Sequence, residues 1–467
     1  MGTGRVGRDW RRIGVTMLAA AILIAPGITV RPEPVVPASP ASLTAATEAV
    51  ASGSPARIAA ENLPPSIAAS IPLVAAGAVG NDPSLAVERV AALPDPASDD
   101  PWEAGVAALF AGAWPDPDGA VLADQLSRLD RSDVEWLAAI YPELVGNRPG
   151  VPYDIRIAAN HIRVVAAAES STRWPQPDRP WTEPPRRERV ELTEIANLDQ
   201  QLIYFDAFGN EGEGSWAELV GDLSTATEVG VLVPGGSAFL TSDNFTRYTG
   251  RASTFVDAAD GLAMIIWAAA PFPSGWIQEA SGAWAASAAG PLAAFTRDLR
   301  RQVGPDVGLT LVGHSYGGAM VGLAELYPMD VDRILHVASA GAGFGVDSPA
   351  DYLEPCRPRF VVMAPGDPIS YVQNIPRGTG LGHGVSTAEL DGVVIVTTGH
   401  LPDDPDALDD VGRTLGSQGI VGKRIGGLHA HSEVFIPDSD AWDNMLAVLT
   451  FEEPTIEERQ PPPQPDC

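Results

Sequence analysis

Basic residues are scarce in this chain, and that scarcity bears on its partners. The 467 residues contain 30 Lys and Arg against 60 Asp and Glu, so the formal net charge is -30. Such a surface cannot replace the counterions around a phosphate backbone, which argues against nucleic acid as a partner. The acidity itself indicates a soluble chain that repels like charges.

Cysteine is also scarce, since Cys356 and Cys467 are the 2 thiols of the chain. Two such residues form neither a disulfide framework nor a zinc site. They could pair and hold the C-terminal end, or Cys467 could remain free. His429 and His431 form a His-x-His pair, but no third metal ligand accompanies it. We therefore expect no metal and no other cofactor.

Long hydrophobic runs are missing as well. The apolar stretch at 13–24 is short for a membrane-spanning helix, although residues 13–30 could just cross a bilayer. It precedes a small-residue stretch at 36–38 and follows basic residues, the order typical of an export signal. The basic residues are Arg5, Arg8, Arg11 and Arg12. We predict that residues 1–38 are an export signal or membrane anchor, and that the protein is secreted or held on the outer face of the cytoplasmic membrane.

Composition divides the rest of the chain into four parts. Residues 39–100 are rich in Ala, Pro and Ser and predict a linker with short helical pieces. Residues 101–190 have helical spacing and end in a Trp and Pro cluster, so they predict a helical segment that could cap a site. Residues 191–452, in which apolar strand-like runs alternate with helical stretches, predict one large domain. Residues 453–467 predict a disordered, acidic, Pro-rich tail.

Apolar runs alternate with helical stretches in the large domain. Near-continuous apolar strands with crossover helices predict a mostly parallel sheet covered by helices on both faces. Two earlier runs, "QLIYFDAF" and "SWAELVGDL", predict a hairpin. The fold class is therefore α/β, preceded by an N-terminal helical segment. The other apolar runs lie at 229–235, 261–269, 308–314, 333–339, 359–365 and 392–398.

One short motif, "GLTLVGHSYGGAM", places a serine in a glycine frame. An apolar run at 309–312 precedes Ser315, and a helix-compatible segment follows it. In the pattern G-x-S-x-G the serine lies on a sharp strand-to-helix turn, where neighbouring backbone leaves room only for glycine. Gly313 and Gly317 hold those places. The motif predicts a nucleophile, although a bare G-x-S-x-G also arises by chance in a glycine-rich chain.

A serine nucleophile needs a base, and the base needs an orienting carboxylate. Asp367 in "APGDPIS" follows a strand, where a parallel sheet presents its ligand-binding edge, although Gly-Asp-Pro is also an ordinary turn. For the base we prefer His431, then His400, then His429. His431 precedes the last helix, whereas His400 directly follows a strand. His314 beside the serine is expected to support the turn.

An oxyanion hole is also required. We expect one donor to be the amide of Tyr316 and the other to be the amide of Gly236 or Ser237, in the glycine-rich loop "VPGGSAFL". The aromatic residues Trp267, Phe272 and Trp276 follow the next strand closely. They could line an apolar acyl pocket, or they could be core residues.

The motifs together resemble a known family. "VGDLSTATEVGVLVPGGSA", "LVGHSYGGAMVG", "APGDPI" and "AHSEVF" are similar to an actinobacterial α/β-hydrolase family long labelled a domain of unknown function. The segment "YPELVGNRPGVPYDIRIAANHIRV" resembles the helical part of that family, and the likeness spans roughly 130 to 450. The resemblance implies an α/β-hydrolase fold with Ser315, Asp367 and His431 as the triad, and it favours His431 over His400.

The chain is therefore expected to be an exported serine hydrolase. Such an enzyme cleaves a small-molecule or lipid carboxylic ester through an acyl-enzyme intermediate. Two alternatives stay open: a cell-envelope binding protein on a hydrolase scaffold, and an acyltransferase with the same triad. Each is separated from a hydrolase by experiment, the first by a serine-directed probe and the second by product analysis with an added alcohol.

Overall fold

A computed structural model describes a large part of this chain. The predicted export signal at 1–38, and the Trp and Pro joint near 173–190, lie outside the described residues. In the part that the structure covers, no helix is both long enough and apolar enough to cross a membrane. The described residues are 40–53, 79, 81–113, 115–170, 192–197, 200–240, 242–373, 381–403, 421–463 and 467.

A sheet of 8 strands, in the order β1-β2-β4-β3-β5-β6-β7-β8, organises residues 201–396. From β4 to β8 all neighbours are parallel, whereas β2 is antiparallel to both β1 and β4. The predicted hairpin of the first two strands is thus confirmed. The strands are β1 (Gln201–Asp206), β2 (Ser215–Val220), β3 (Glu228–Val233), β4 (Leu262–Ala268), β5 (Gly308–His314), β6 (Arg333–Val337), β7 (Arg359–Val362) and β8 (Val394–Val396).

Within the described ranges, side-chain caps mark the start of three α-helices, at Asp82, Asp100 and Ser439. Pro occupies the first helical position where Asp100 caps a helix by accepting from the amide of Trp102. The helices are α1 (Pro40–Gly53), α2 (Pro83–Ala91), α3 (Pro101–Gly112), α4 (Ala120–Leu126), α5 (Arg131–Ile140), α6 (Pro142–Val145), α7 (Tyr153–Ser170), α8 (Leu192–Asn197), α9 (Gly209–Gly212), α10 (Asn244–Ala258), α11 (Trp276–Glu279), α12 (Ala283–Val303), α13 (Tyr316–Ala324), α14 (Ala430–Glu433) and α15 (Asp440–Leu449).

The strand order creates a place for a site at the carboxyl ends of the parallel strands. The connection from β3 to β4 runs one way along the sheet, and the connection from β5 to β6 runs the other way. Because such crossovers are right-handed, their helices α10 and α13 lie on opposite faces. The chain reverses direction between β3 and β5. In open parallel sheets, ligands bind beside the carboxyl ends of strands at such a switch point.

The N-terminal helices build a core of their own, and this corrects the linker interpretation for residues 40–53. Helix α1 packs against α3, and Leu43, Ala46 and Val50 are buried. Their spacing puts them on one face of the helix. The Ala-rich composition suggested a linker, but Ala is also the best helix former, so the composition left both outcomes open.

Helix α7 fastens this helical segment to the edge of the sheet. The Asn160 amide donates to the carbonyl of Leu202 in β1 at 2.9 Å. The buried guanidinium of Arg156 lies 3.1 Å from the carboxylate of Asp298 in α12. That carboxylate also accepts from the amide of Gly150 at 3.0 Å. The segment therefore braces β1 and the second half of α12, and its role as a cap stays a prediction.

The predicted disorder of the tail is wrong for residues 453–463. The amide of Thr397 donates to the carbonyl of Thr455 at 2.9 Å, and Gln460 exchanges two hydrogen bonds with Ile395. Beyond them, Cys467 forms a disulfide with Cys356. The edge strand β8 leaves backbone donors and acceptors open, and the tail satisfies them. Composition alone cannot reveal such a partner.

Candidate active site

Ser315 occupies a strained turn between β5 and α13. Its backbone has φ 55° and ψ -124°, a conformation that side chains other than glycine rarely adopt. Its amide donates to the carbonyl of Val337, and its own carbonyl accepts from the amide of Ala340, each within 3.0 Å. The turn is thus fastened to the segment that leaves β6. The strain is held in place at the switch point of the sheet.

The glycine frame of the motif is confirmed by close backbone contacts. A Cβ atom on Gly317 would lie 2.3 Å from the carbonyl oxygens of Val233 and Pro234. A Cβ atom on Gly313 would lie 2.6 Å from the Cα atom of Gly318. Neither backbone can move aside, so both positions require glycine. Helix α13, whose N-terminal dipole end is positive, begins directly after the serine.

The carboxylate of Asp367 and the ring of His431 meet beyond the carboxyl ends of the parallel strands, the side of the sheet on which Ser315 also lies. His431 Nδ1 lies 3.1 Å from both carboxylate oxygens of Asp367, which is buried. One of those oxygens also accepts from the amide of Ile369 at 2.9 Å and so fixes the carboxylate. Because a carboxylate only accepts, Nδ1 carries the proton and Nε2 of neutral His431 is left to accept one.

The alternative base His400 has a different partner. Its Nδ1 lies 3.5 Å from the carboxylate of Asp440 at the start of α15, and both side chains are more than half exposed. His429 is exposed and precedes the turn of α14. The structure therefore joins His431 to Asp367 and leaves both alternatives outside that pair.

The loop after β3 contains both predicted alternatives for the second oxyanion donor, and one of them, Ser237, is engaged elsewhere. The amide of Ser237 donates to the carbonyl of Pro273 at 2.8 Å, so it is not available to an oxyanion. The amide of Gly235 is likewise engaged, with the hydroxyl of Tyr248. Within the described residues, the amides of Gly236 and Tyr316 donate to no protein acceptor. These two amides remain the candidates.

Of the two alternatives for the aromatic residues after β3, an acyl pocket or the core, the structure favours the core for Trp267 and Phe272. Trp267 and Phe272 are fully buried in the main core, where the ring of Trp267 contacts that of Phe295. Every residue of β4 is buried, so both faces of the sheet are covered there and the side chain of Trp267 belongs to the core. Phe272 lies in the loop after β4 and is buried as well. The side chain of Trp276 lies outside the described residues.

A cavity of about 330 Å³ opens elsewhere, where β1 begins and β2 ends. Gln201, Glu218 and Gly221 are among its lining residues. Strand β2 runs antiparallel to β4, so this end of it lies at the opposite edge of the sheet from Ser315. This cavity is therefore not part of the candidate site around Ser315.

The residues around His314 were only partly found from the sequence. His314 was expected to support the serine turn, and its buried ring contacts the ring of His431. Tyr248 and Arg251 on α10, which lie beside it, were missed. Their spacing of three residues puts them on one face of a helix, but no local feature tells which site that face meets.

A comparison with models of known protein families agrees with this architecture. Residues 210–377 match the family model described as "Alpha/beta hydrolase". A search of curated proteins found no match. A lipase/esterase from Lactobacillus plantarum is similar in structure at 16% identity, over 33% of this chain and 73% of that chain, with a TM-score of 0.22.

Two further solved structures are similar. A carboxyl esterase 2 from the fungus Tuber melanosporum has 13% identity over 61% of this chain and 95% of its own, with a TM-score of 0.33. An α/β serine hydrolase without a lid, from Xanthomonas campestris, has 14% identity over 38% of this chain and 80% of its own, with a TM-score of 0.23. The family match of residues 210–377, the strand order and the serine turn after β5 identify an α/β-hydrolase fold in this chain.

Proposed function

We propose that this protein is a serine hydrolase that cleaves carboxylic esters, with Ser315 as nucleophile, His431 as base and Asp367 as the orienting acid. The observation that carries the proposal is the pairing of His431 Nδ1 with the buried Asp367 carboxylate, beyond the sheet edge where the strained Ser315 turn lies. Three residues far apart in sequence thereby supply the three parts of a nucleophilic site.

The proposed reaction needs only these groups and the loop amides. Ser315 Oγ attacks the ester carbonyl while Nε2 of His431 takes its proton. The negative charge on the carbonyl oxygen is stabilised by the amides of Gly236 and Tyr316 and by the positive end of α13. The alkoxide leaves with the proton from His431, and an acyl-Ser315 ester remains. Water, activated by the same histidine, then releases the acid.

Export of the protein is part of the proposal. The disulfide between Cys356 and Cys467 favours an oxidising compartment, because disulfides persist outside the cytosol. The order of basic, apolar and small residues in 1–38 supports the same location. Association with the membrane through these residues, and a lipid ester as substrate, are consistent with it.

The first test is labelling of the purified protein with a fluorophosphonate probe, beside Ser315→Ala, His431→Ala and His400→Ala. We expect labelling of the parent protein and of His400→Ala, and its loss in the other two variants. His400→Ala is the matched control, since it also removes a histidine that lies near a carboxylate.

Other outcomes would reassign the site or the function. Labelling that survives in His431→Ala and disappears in His400→Ala would move the base to His400. Absence of labelling in the folded parent protein would favour the binding-scaffold alternative. With labelling established, hydrolysis of p-nitrophenyl esters, with and without an added alcohol, distinguishes a hydrolase from an acyltransferase by its products.

A further inference from the structure

We propose that Tyr248 and His314 form a buried hydrogen-bonded link that holds the oxyanion loop and the His431 loop in place around Ser315. Both are positioning residues, since they act through other groups and not on the substrate. The proposal rests on the proposed function and goes further, because it assigns a role to two side chains outside the triad.

The link is continuous across three segments of the chain. The amide of Gly235, in the loop after β3, donates to the Tyr248 hydroxyl at 2.8 Å. That hydroxyl lies 2.6 Å from His314 Nδ1, at the end of β5. His314 Nε2 lies 3.2 Å from the backbone carbonyl oxygen of His431. Tyr248 and His314 are both buried, so water does not compete for these bonds.

Only one assignment of protons satisfies the whole link. The carbonyl oxygen of His431 can only accept, so His314 Nε2 carries a proton. In a neutral ring Nδ1 then accepts, and the Tyr248 hydroxyl is its donor. The oxygen of that hydroxyl keeps a lone pair for the amide of Gly235. A protonated His314 ring would present a donor to Tyr248 and leave the hydroxyl proton without this acceptor.

The surroundings keep the His314 ring neutral. Burial, together with the positive charge of Arg251, holds the pKa of His314 well below its usual value. Arg251 is buried, and its guanidinium lies 5.0 Å from the ring centre of Tyr248 and 4.1 Å from that of Phe435. The ring of Phe435 in turn packs edge-on against His314, with centroids 4.9 Å apart. The link therefore keeps one tautomer.

This geometry gives His431 two independent supports. Asp367 holds its ring, and His314 holds its backbone. The same link holds Gly235, whose neighbour Gly236 offers an oxyanion donor. Because reactive groups must be placed to within a fraction of an ångström, releasing one end of the link is expected to slow the reaction without removing any reacting group.

The test compares Tyr248→Phe and His314→Met with His314→Gln and Tyr352→Phe in the full chain. His314→Gln keeps an N–H that can reach the His431 carbonyl. Tyr352→Phe is the matched control, because it also removes a buried hydroxyl, one that donates to the carbonyl of Ala342 at 3.2 Å. Thermal unfolding is recorded for each, so that a loss of folding is recognised.

For p-nitrophenyl ester hydrolysis we expect kcat to fall about 10- to 100-fold in Tyr248→Phe and His314→Met, with KM changed less than about threefold. His314→Gln should recover a large part of kcat. Tyr352→Phe should lower the unfolding temperature without lowering kcat. An unchanged kcat in Tyr248→Phe and His314→Met, with only the unfolding temperature lowered, would overturn the proposal.

A second readout does not depend on turnover. In protein with 15N-labelled histidine rings, the His431 Nδ1–H resonance should be displaced in Tyr248→Phe and His314→Met and should stay in place in Tyr352→Phe. If the parent protein neither hydrolyses esters nor reacts with the fluorophosphonate, the proposed function fails, whereas the link is still judged by this resonance. An undisplaced resonance in both variants contradicts the link itself.

Discussion

Two histidine-aspartate pairs lie beyond the last strands of the sheet, and they differ chiefly in their exposure to solvent. His431 meets the carboxylate of Asp367 at 3.1 Å, and that carboxylate is only 1% exposed. His400 lies 3.5 Å from Asp440, and these side chains are 59% and 55% exposed. Both acids accept a backbone amide, Asp367 from Ile369 at 2.9 Å and Asp440 from His400 at 2.8 Å. In the first pair the acid is also buried, and the backbone carbonyl of His431 contacts His314. The second is open to solvent.

A histidine near a carboxylate is therefore not by itself evidence of a catalytic pair. In water the attraction between such groups is weak and the side chains pay entropy to stay together. In the first pair both carboxylate oxygens of the buried Asp367 lie 3.1 Å from Nδ1, so the ring keeps one orientation. Burial of the carboxylate also strengthens its bond to Nδ1. Burial, more than residue type, distinguishes the two pairs.

The largest effect is expected from replacing the acid of the buried pair. Asp367→Asn should lower kcat by about 10⁴-fold, because an amide no longer holds the Nδ1–H tautomer of His431. Asp440→Asn, the matched change in the exposed pair, should leave kcat within about twofold. Steady-state ester hydrolysis measures both. Equal losses in the two variants would contradict the assignment of Asp367.

The second prediction concerns the tail, which pairs with β8, the strand that leads to His400. Changing Cys356 and Cys467 together to Ser should lower the free energy of unfolding by about 4 kcal/mol, since the bridge closes a loop with a sequence separation of 111. Urea unfolding measures the loss. Hydrogen exchange should rise at 394–396 and not at 308–314, and kcat should change less than about twofold.

That outcome would show that the tail stabilises the side of the sheet that carries His400 and Asp440, without affecting the pair formed by His431 and Asp367. An unfolding free energy equal to that of the parent protein under non-reducing conditions would show that the tail adds nothing. A large fall in kcat with an intact Ser315 turn would show instead that the tail reaches the first pair.

The smallest predicted effect concerns Glu218, a buried carboxyl group that has no histidine partner. Glu218 on β2 is buried and accepts from the hydroxyl of Thr249 at 2.6 Å. Burial raises its pKa from 4.5 to about 7. Glu218→Gln should therefore remove about 3 kcal/mol of pH dependence from the free energy of unfolding. Urea unfolding between pH 4 and 8 measures this.

The sign follows from proton binding. Between about pH 4.5 and 7 the folded protein holds a proton on Glu218 that the unfolded chain has lost. This contribution to stability is complete below that window and is lost as the pH rises through it. Relative to the parent protein, Glu218→Gln should gain stability as the pH rises from 4 to 8. Parallel curves for the two proteins would contradict a raised pKa.

Much of the fold and part of the site could be predicted from local patterns. The strands of the sheet were visible as apolar runs, and the Ser315 turn was visible because its steric demands fall on Gly313 and Gly317, two residues away. Asp367 was visible as an acid shortly after a strand. The family match and the strand order agree with this interpretation.

Other features depended on residues far apart in the chain. Trp267 and Phe272 looked like pocket residues because they stand close together near the end of a strand. Trp267 lies on the central strand β4 and Phe272 in the loop after it, and both are buried. The tail looked disordered because its composition is polar and Pro-rich, and its partner is an edge strand about 60 residues earlier in the chain. Tyr248 carried no signal at all.

The strands, the sharp serine turn and the candidates for nucleophile, acid and base could be predicted from local sequence, because each depends on neighbours within a few residues. Three features became visible in the folded chain alone: which histidine meets Asp367, which of the described loop amides lack a protein acceptor, and which residue contacts the His431 carbonyl. Hydrogen bonds act over about 3 Å. Which distant groups come that close is settled by how the loops pack against the sheet.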